Sequence, residues 1–256
     1  MTKRYVSGIR PSGKIHLGNY LGALQHIYNY QQTGEDVVFF VADMHGQHTS
    51  SEVLQTVQSL YDIGINKILI QSNYKNELLA LTHDLSFHVN TGMLNRMTQF
   101  KDKTAKGESS SLALFSYPVL MAADILFHKA THVPVGDDQK QHIEFVRDLV
   151  DKIGGYTKPE AVIIPVGSRI MSLKDGTSKM SKSDPDDNSR INLSDDADTI
   201  RRKIKSAKSG MTMQDNTPEL LNLKGIYNAL GGVNEFDKTS EFKNELSDLI
   251  IAKLKK

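Results

Sequence analysis

The stretch "SGIRPSGKIHLGNYLGAL", Ser7 to Leu24, decides how the chain folds. It leaves a strand-like run, "KRYVSGI", and enters an apolar repeat with Tyr20, Leu21, Leu24, Ile27 and Tyr28 at helical spacing. Gly8-x-x-x-x-Gly13-Lys14 has the spacing of a phosphate-cradling loop. Such a loop needs Ser or Thr next, to put a hydroxyl on Mg²⁺. The next residue is Ile15, which has no ligand atom. Two residues on comes a second phosphate-suited element, His16-Leu17-Gly18-Asn19. A strand-to-helix turn of this kind offers backbone N–H groups and a positive helix end to an anion. Gly18 allows close backbone approach, and His16 and Asn19, three apart, share one face of the helix start.

Working outward, "DVVFFVADM", Asp36 to Met44, is the continuous apolar run of a strand buried on both faces. "SSEVLQTVQSLYDIGI" is an amphipathic helix, with Ser50 or Ser51 as its expected cap. "NKILIQSN" reads as another buried strand, and Leu112 to Lys129 as an apolar helix interrupted at Pro118. "HVPVG" is short and extended. "DDQKQHIEFVRDLVDKIGG" is a helix stopped by Gly154-Gly155, and "AVIIPVG" is one more strand. Strands alternating with helices predict a Rossmann-like, doubly wound parallel sheet in an α/β fold. Ligands on such sheets sit beyond the carboxyl ends of the strands, so Ser7-Gly8, His45 and Gly136-Asp137-Asp138 should converge. After Ser172 the strand signal stops. Asp195–Lys208, Glu219–Leu230 and Ser240–Lys255 read as helices, which predicts a catalytic domain over 1–186 and a helical region over 187–256.

Composition narrows the chemistry. The 256 residues include no cysteine, which removes disulfides, zinc ribbons and thiol nucleophiles. No apolar run approaches the ~18 residues of a membrane span, and no secretory signal opens the chain; a cytoplasmic location is expected. A net charge of +1 gives no global hint of nucleic acid. His128 and His132 have metal-like i, i+4 spacing, but without Cys or an HExxH pattern no metal site is expected.

Two further features carry chemistry. "GTSKMSKSDPDDNS", Gly176 to Ser189, holds Lys179 and Lys182 and almost no core-forming residues. It reads as a solvated loop, or as a flexible arm delivering two ammonium groups to a polyphosphate. Asp124 sits in the apolar "LMAADILF". It either points out to water or is a paired carboxylate in a greasy pocket. In "IRRKIK", the expected cap Ser194 and first-turn Asp195, Asp196 and Asp198 complement a helix dipole, an alternative to an RNA patch.

His16-Leu17-Gly18-Asn19 resembles the HIGH signature, and Lys179-Met180-Ser181-Lys182-Ser183 the KMSKS signature, of class I aminoacyl-tRNA synthetases. With "RMTQFKDK", "YPVLMAADIL" and "VPVGDDQKQHIEFVRDL", the likeness is to the tryptophanyl-tRNA synthetase family of bacterial and mitochondrial type, from about Tyr5 to the end of the chain. The resemblance implies activation of L-tryptophan by ATP with Mg²⁺, transfer to tRNA(Trp), and a homodimer. By position, Arg10, Pro11, Ser12, Gly18 and Asn19 would border the ATP phosphates and ribose. Gly136, Asp137 and Asp138 would lie against ribose and amino acid, and Ile170 near adenine. Lys103, Lys179 and Lys182 would meet the phosphates with His16, and Met180, Ser181 and Ser183 complete the ATP-binding arm. Asp124 would accept the indole N–H in a pocket including Val6, Gly8, His45, Tyr117, Met121, Val133 and Val135, and Gln139 would hold the substrate's ammonium or carboxylate. Position 6 is Val where several family members carry a larger aromatic, which implies a different pocket wall. Tyrosine activation, or a silent synthetase-like binding module, are the alternatives. The family usually continues beyond Lys256; a short or truncated member is expected to form the adenylate but charge tRNA poorly.

Overall fold

The structure, a computed structural model, describes residues 2–98, 100, 111–136, 139–164, 170–182 and 184–254. The chain forms two compact units: Met1–Arg10, Tyr30–His48 and Lys67–Ile164 in the first, and Pro11–Asn29, Thr49–Asn66 and Pro165–Lys256 in the second.

The first unit is built on a five-stranded sheet: β1 (Arg4–Ile9), β2 (Asp36–Val41), β3 (Ile68–Ile70), β4 (His132–Val135) and β5 (Glu160–Ile163). All pairings are parallel, in the order β3-β2-β1-β4-β5. The order reverses between β1 and β4, the switch point at which Rossmann-like sheets bind ligands. The expected strand over 66–73 is only three residues long and half-buried, because the chain turns into a 3₁₀ segment at Gln71–Tyr74.

Helices α1 (Leu17–Asn19), a π-type turn (Tyr20–Leu24) and α2 (Gln25–Gln32) follow β1; α3 (Ser50–Asp62) follows β2. The cap of α3 is Thr49, not Ser50 or Ser51. Only Thr49 has a glutamate at the right distance: Glu52 N donates to Thr49 Oγ1 at 3.3 Å and Thr49 N donates to Glu52 Oε2 at 2.7 Å, a reciprocal box. Between β3 and β4 lie α4 (Lys75–Ser86), α5 (Thr91–Asn95) and α6 (Leu112–Phe127). Sequence reasoning placed nothing at α4 or α5.

Helix α6 runs unbroken through Pro118. A mid-helix proline costs about 3 kcal/mol or more. Val119, Ile125 and Leu126 of the same helix are at most 4% exposed, and each such burial returns roughly 1.5–3 kcal/mol. Packing therefore outweighs the break expected there. Together with Val6, Phe40, Leu78, Leu85 and Phe145 these side chains form the core of the unit. Helix α7 (Lys140–Ile153) ends at Gly154, whose φ of 72° needs glycine.

In the second unit, α8 (Ala197–Ser206), α9 (Pro218–Ala229) and α10 (Thr239–Leu254) bury Ile200, Ile204, Leu220, Ile226, Phe242 and Leu246. The cap of α8 is Asp196, which accepts from Thr199 N at 2.7 Å, rather than Ser194. Asp195 lies before the helix and turns inward.

Candidate active site

In the first unit, residues beyond the carboxyl ends of β2 and β3 hold the buried Asp124 of α6. Asp124 is 2% exposed and does not point to water. Gln71 Nε2 donates to Asp124 Oδ1 at 2.8 Å and lies 2.9 Å from Oδ2. His45 Nε2 is 2.8 Å from Oδ2. Gln71 Oε1 in turn accepts Met44 N at 2.9 Å, which locks the amide orientation. A buried carboxylate held this way is satisfied yet keeps acceptor capacity, since two oxygens offer about four lone-pair sites. Two turns earlier on α6, Tyr117 hydrogen-bonds the buried His142 of α7. Burial pushes the Tyr117 hydroxyl up to about 12, against the pull of the Arg10 charge; it stays a neutral donor at working pH.

Around this group, Val6 and Val133 are buried in adjacent strands, and Met121 and Val135 are half-buried beside them. Gly8 leaves room for the Phe40 ring: a Cβ there would lie 2.8 Å from it and force the ring to shift. Gln139 N donates to Gly136 O at 2.9 Å at the start of α7. Of the expected site residues, Lys103, Asp137, Asp138 and Ser183 lie outside the described residues.

The second unit gathers the two signature stretches. His16 precedes α1 and is 4% exposed. Its backbone pairs with a segment far along the chain: Leu17 N donates to Ile191 O at 2.8 Å and Leu193 N to Ile15 O at 2.9 Å. His16 N donates to Asn19 Oδ1 at 3.1 Å, so Asn19 fixes the turn. A Cβ on Gly18 would come 3.0 Å from His16 Nδ1 and 3.6 Å from Ile170 Cβ, so glycine makes room for both. Burial, then the positive charges of Lys182, Arg190 and Lys179, push the His16 imidazole down to about 4. It is neutral at pH 7 and lies in the positive field of three cations.

The lysine stretch is not a featureless solvated loop. Met180 is buried and Met180 N donates to Ile170 O at 3.0 Å, while Ser172 N donates to Ser178 O at 2.8 Å. Residues 170–172 and 178–180 thus form a small hairpin. Asp175 shapes its tip by accepting Thr177 N at 2.9 Å and the Thr177 and Ser178 hydroxyls. On its other side Asn222 of α9 clasps Met171 in backbone fashion, accepting its N–H at 2.9 Å and donating to its carbonyl at 3.0 Å. Lys179 is exposed and Lys182 half-buried. Gly13, with φ 65°, places its missing Cβ 3.5 Å from Lys182 Cβ. The near-miss phosphate loop of the sequence is therefore a neighbour of the lysine arm.

Some expectations change. The basic run of α8 is not all available to RNA: Lys203 is fully buried, and Arg201 pairs with Asp248 at 3.0 Å. His128 and His132 fall on different elements, one after α6 and one on β4. Gln71 was missed, although a polar residue directly after the apolar "ILI" sits where parallel sheets place ligand contacts.

The family of class I tRNA synthetases for tryptophan and tyrosine matches residues 2–255. The chain is 40% identical to the tryptophan–tRNA ligase of Brucella melitensis, over 97% of this chain and 84% of that one. It is 41% identical to that of Rickettsia bellii, over 99% and 86%. Among solved structures, the tryptophanyl-tRNA synthetase of Mycoplasma pneumoniae superposes with a TM-score of 0.82 at 32% identity, covering 99% of this chain and 86% of that one. That of Campylobacter jejuni, complexed with ADP and tryptophan, does so at 0.81 and 31%, covering 98% and 86%. Tyrosyl-tRNA synthetase of Aeropyrum pernix, at 20% identity, TM-score 0.72 and coverage of 99% and 83%, shares the fold. A five-stranded parallel sheet, the two signature stretches and this likeness agree: the chain belongs to the class I tRNA synthetase family for tryptophan and tyrosine.

Proposed function

We propose that this chain joins L-tryptophan to tRNA(Trp), using ATP with Mg²⁺ as the nucleotide substrate. Its relatives at about 40% identity are tryptophan–tRNA ligases. The observation that carries the site assignment is Asp124, a buried carboxylate held by Gln71 and His45. An apolar pocket with one fixed acceptor suits an indole N–H, and a site built around a substrate N–H rejects analogues without it by ~10⁴–10⁵.

In the first step the tryptophan carboxylate attacks the α-phosphorus. A carboxyl-oxygen–phosphorus bond forms, the α–β phosphoanhydride bond breaks, and pyrophosphate leaves with Mg²⁺. No general base is needed, because the nucleophile is already an anion. The chain's task is to position the reactants and neutralise charge. Lys179 and Lys182, with Lys103, meet the phosphates. His16, kept neutral by its surroundings, offers an N–H without adding charge, and the Gly18–Asn19 helix start offers backbone N–H groups. Arg10, Pro11 and Ser12 border the same nucleotide, and Ile170 and Met180 flank its base. In the second step a ribose hydroxyl at the tRNA terminus attacks the adenylate carbonyl; an ester bond forms, the carbonyl-carbon–phosphate-oxygen bond breaks, and AMP leaves as the hydroxyl proton is released.

The reading extends to a homodimer and a cytoplasmic location; among the described residues no helix is long and apolar enough to cross a membrane. Pyrophosphate exchange with single amino acids tests the substrate. Exchange should require tryptophan, and equal exchange with tyrosine would overturn the assignment.

A further inference from the structure

Lys203 takes no part in the chemistry above, yet its side chain is only 1% exposed. Its Nζ lies 2.7 Å from both Asp187 Oδ2 and Asp195 Oδ2. Asp187 Oδ1 also accepts from Arg190 at 2.9 Å and from Asn192 Nδ2 at 3.0 Å. Asp195 Oδ2 accepts Asn192 N at 2.9 Å. Arg190 reaches Asn192 Oδ1 at 3.1 Å and the Asp184 carbonyl at 2.8 Å. The hydrogen bond from Lys203 is the main cause that holds the Asp187 carboxyl down to about 2.

This network has two ends. One is Asp184, two residues beyond Lys182. The other is the segment 191–193, whose backbone pairs with Ile15 and Leu17 and bridges His16 through Asn192. Two cations balance two carboxylates, so the group adds little net field. A buried ion pair of this kind is weak evidence for stability, since well-packed apolar residues often serve as well. What it supplies is geometry, because each oxygen has an assigned donor. We propose that Lys203, Asp187, Arg190 and Asn192 are positioning residues that set where the lysine arm stands relative to His16. The inference rests on the reading of that arm as phosphate-binding.

The test uses Asp187→Asn. Asp187 is 51% exposed, so folding should tolerate the change. It accepts on both oxygens, so an amide must set an NH₂ group against a donor in either orientation. Tryptophan-dependent exchange is measured for Asp187→Asn alone and in a Lys182→Ala background. If the anchor acts through the arm, kcat falls on the order of tenfold in the first case and by less than about twofold in the second, since coupled residues are non-additive. Tryptophan affinity, read by ligand fluorescence in a chain with no tryptophan of its own, stays unchanged. Trypsin cleavage after Lys179 or Lys182, mapped by mass, quickens in Asp187→Asn without any substrate. An equal loss in both backgrounds, no loss, or unchanged cleavage would overturn the proposal. Wild-type protein lacking tryptophan-dependent exchange would instead overturn the functional reading, and the cleavage rates would still decide the anchor.

Discussion

The Gln71 amide spans both oxygens of Asp124, at 2.8 and 2.9 Å, while its own carbonyl is fixed by Met44 N. Asp124 is therefore oriented before any substrate arrives, and the acceptor proposed to meet an indole is set from the end of β3, not from its own helix.

Removing that acceptor should separate the two substrates. Asp124→Ala should lower kcat/KM for tryptophan at least tenfold, because a hydrogen bond involving a charged group contributes roughly 1.5–3 kcal/mol. The KM for ATP should stay within about twofold, as for interactions at independent sites. Gln71→Ala should show the same pattern with a smaller loss. Wild-type tryptophan activation by Asp124→Ala would show that it does not read the indole.

The lysine arm should act on the transition state. Lys179→Ala and Lys182→Ala should each lose on the order of a hundredfold in kcat, with a smaller change in KM for ATP. Exchange kinetics across ATP concentrations would decide, and an effect confined to KM would make the arm a simple clamp.

Gly18→Ala is a sharper probe of the His16 stretch. The new Cβ would press on the imidazole at 3.0 Å, so the ring must shift. Exchange should drop several-fold or more, as small displacements of positioned groups do, while tryptophan binding by fluorescence is unaffected. Unchanged exchange would mean that the ring position is not critical.

His16 also predicts a pH effect on stability. Its folded-state value is about 4, against 6.5 in an ordinary setting. As pH falls below 6.5 the unfolded chain takes up the proton first. Stability is thus present above that value and lost on descent toward pH 4, by at most about 1.4 kcal/mol per pH unit. Urea unfolding at pH 7.5 and pH 5 should show a steeper loss in wild type than in His16→Gln. Equal slopes would refute the burial of a neutral imidazole.

Much of this was legible in the residues. Phe39, Phe40 and Val41 form a run that only a buried strand tolerates, and His16, Gly18 and Lys179 fell in recognisable spacings. What stayed hidden depends on partners far along the chain. Lys203 reads as a solvated charge until Asp187 and Asp195 are seen to enclose it. For Asp124 the sequence leaves an outward and a buried reading open until Gln71 and His45 are placed. Helix α4 was different, since Leu78 and Leu85 of its buried face lie at helical spacing and were readable. Pro118 misled because local propensity lost to packing.

The wide turn at Tyr20–Leu24 has a consequence for transplanting the site. Each residue advances an α-helix by about 100°, and a π turn absorbs one residue more than an α turn. Ile27, 1% exposed, fixes the phase of the helix downstream. Straightening residues 20–24 into an ordinary α-helix without removing a residue would rotate the first turn by about 100° relative to Ile27, swinging the His16–Asn19 turn away from the Ile191 and Leu193 backbone it now meets. The four residues His16–Asn19 are therefore not a portable motif. The smallest movable piece runs from Ile15 through Leu24 and must carry the 191–193 segment that receives it.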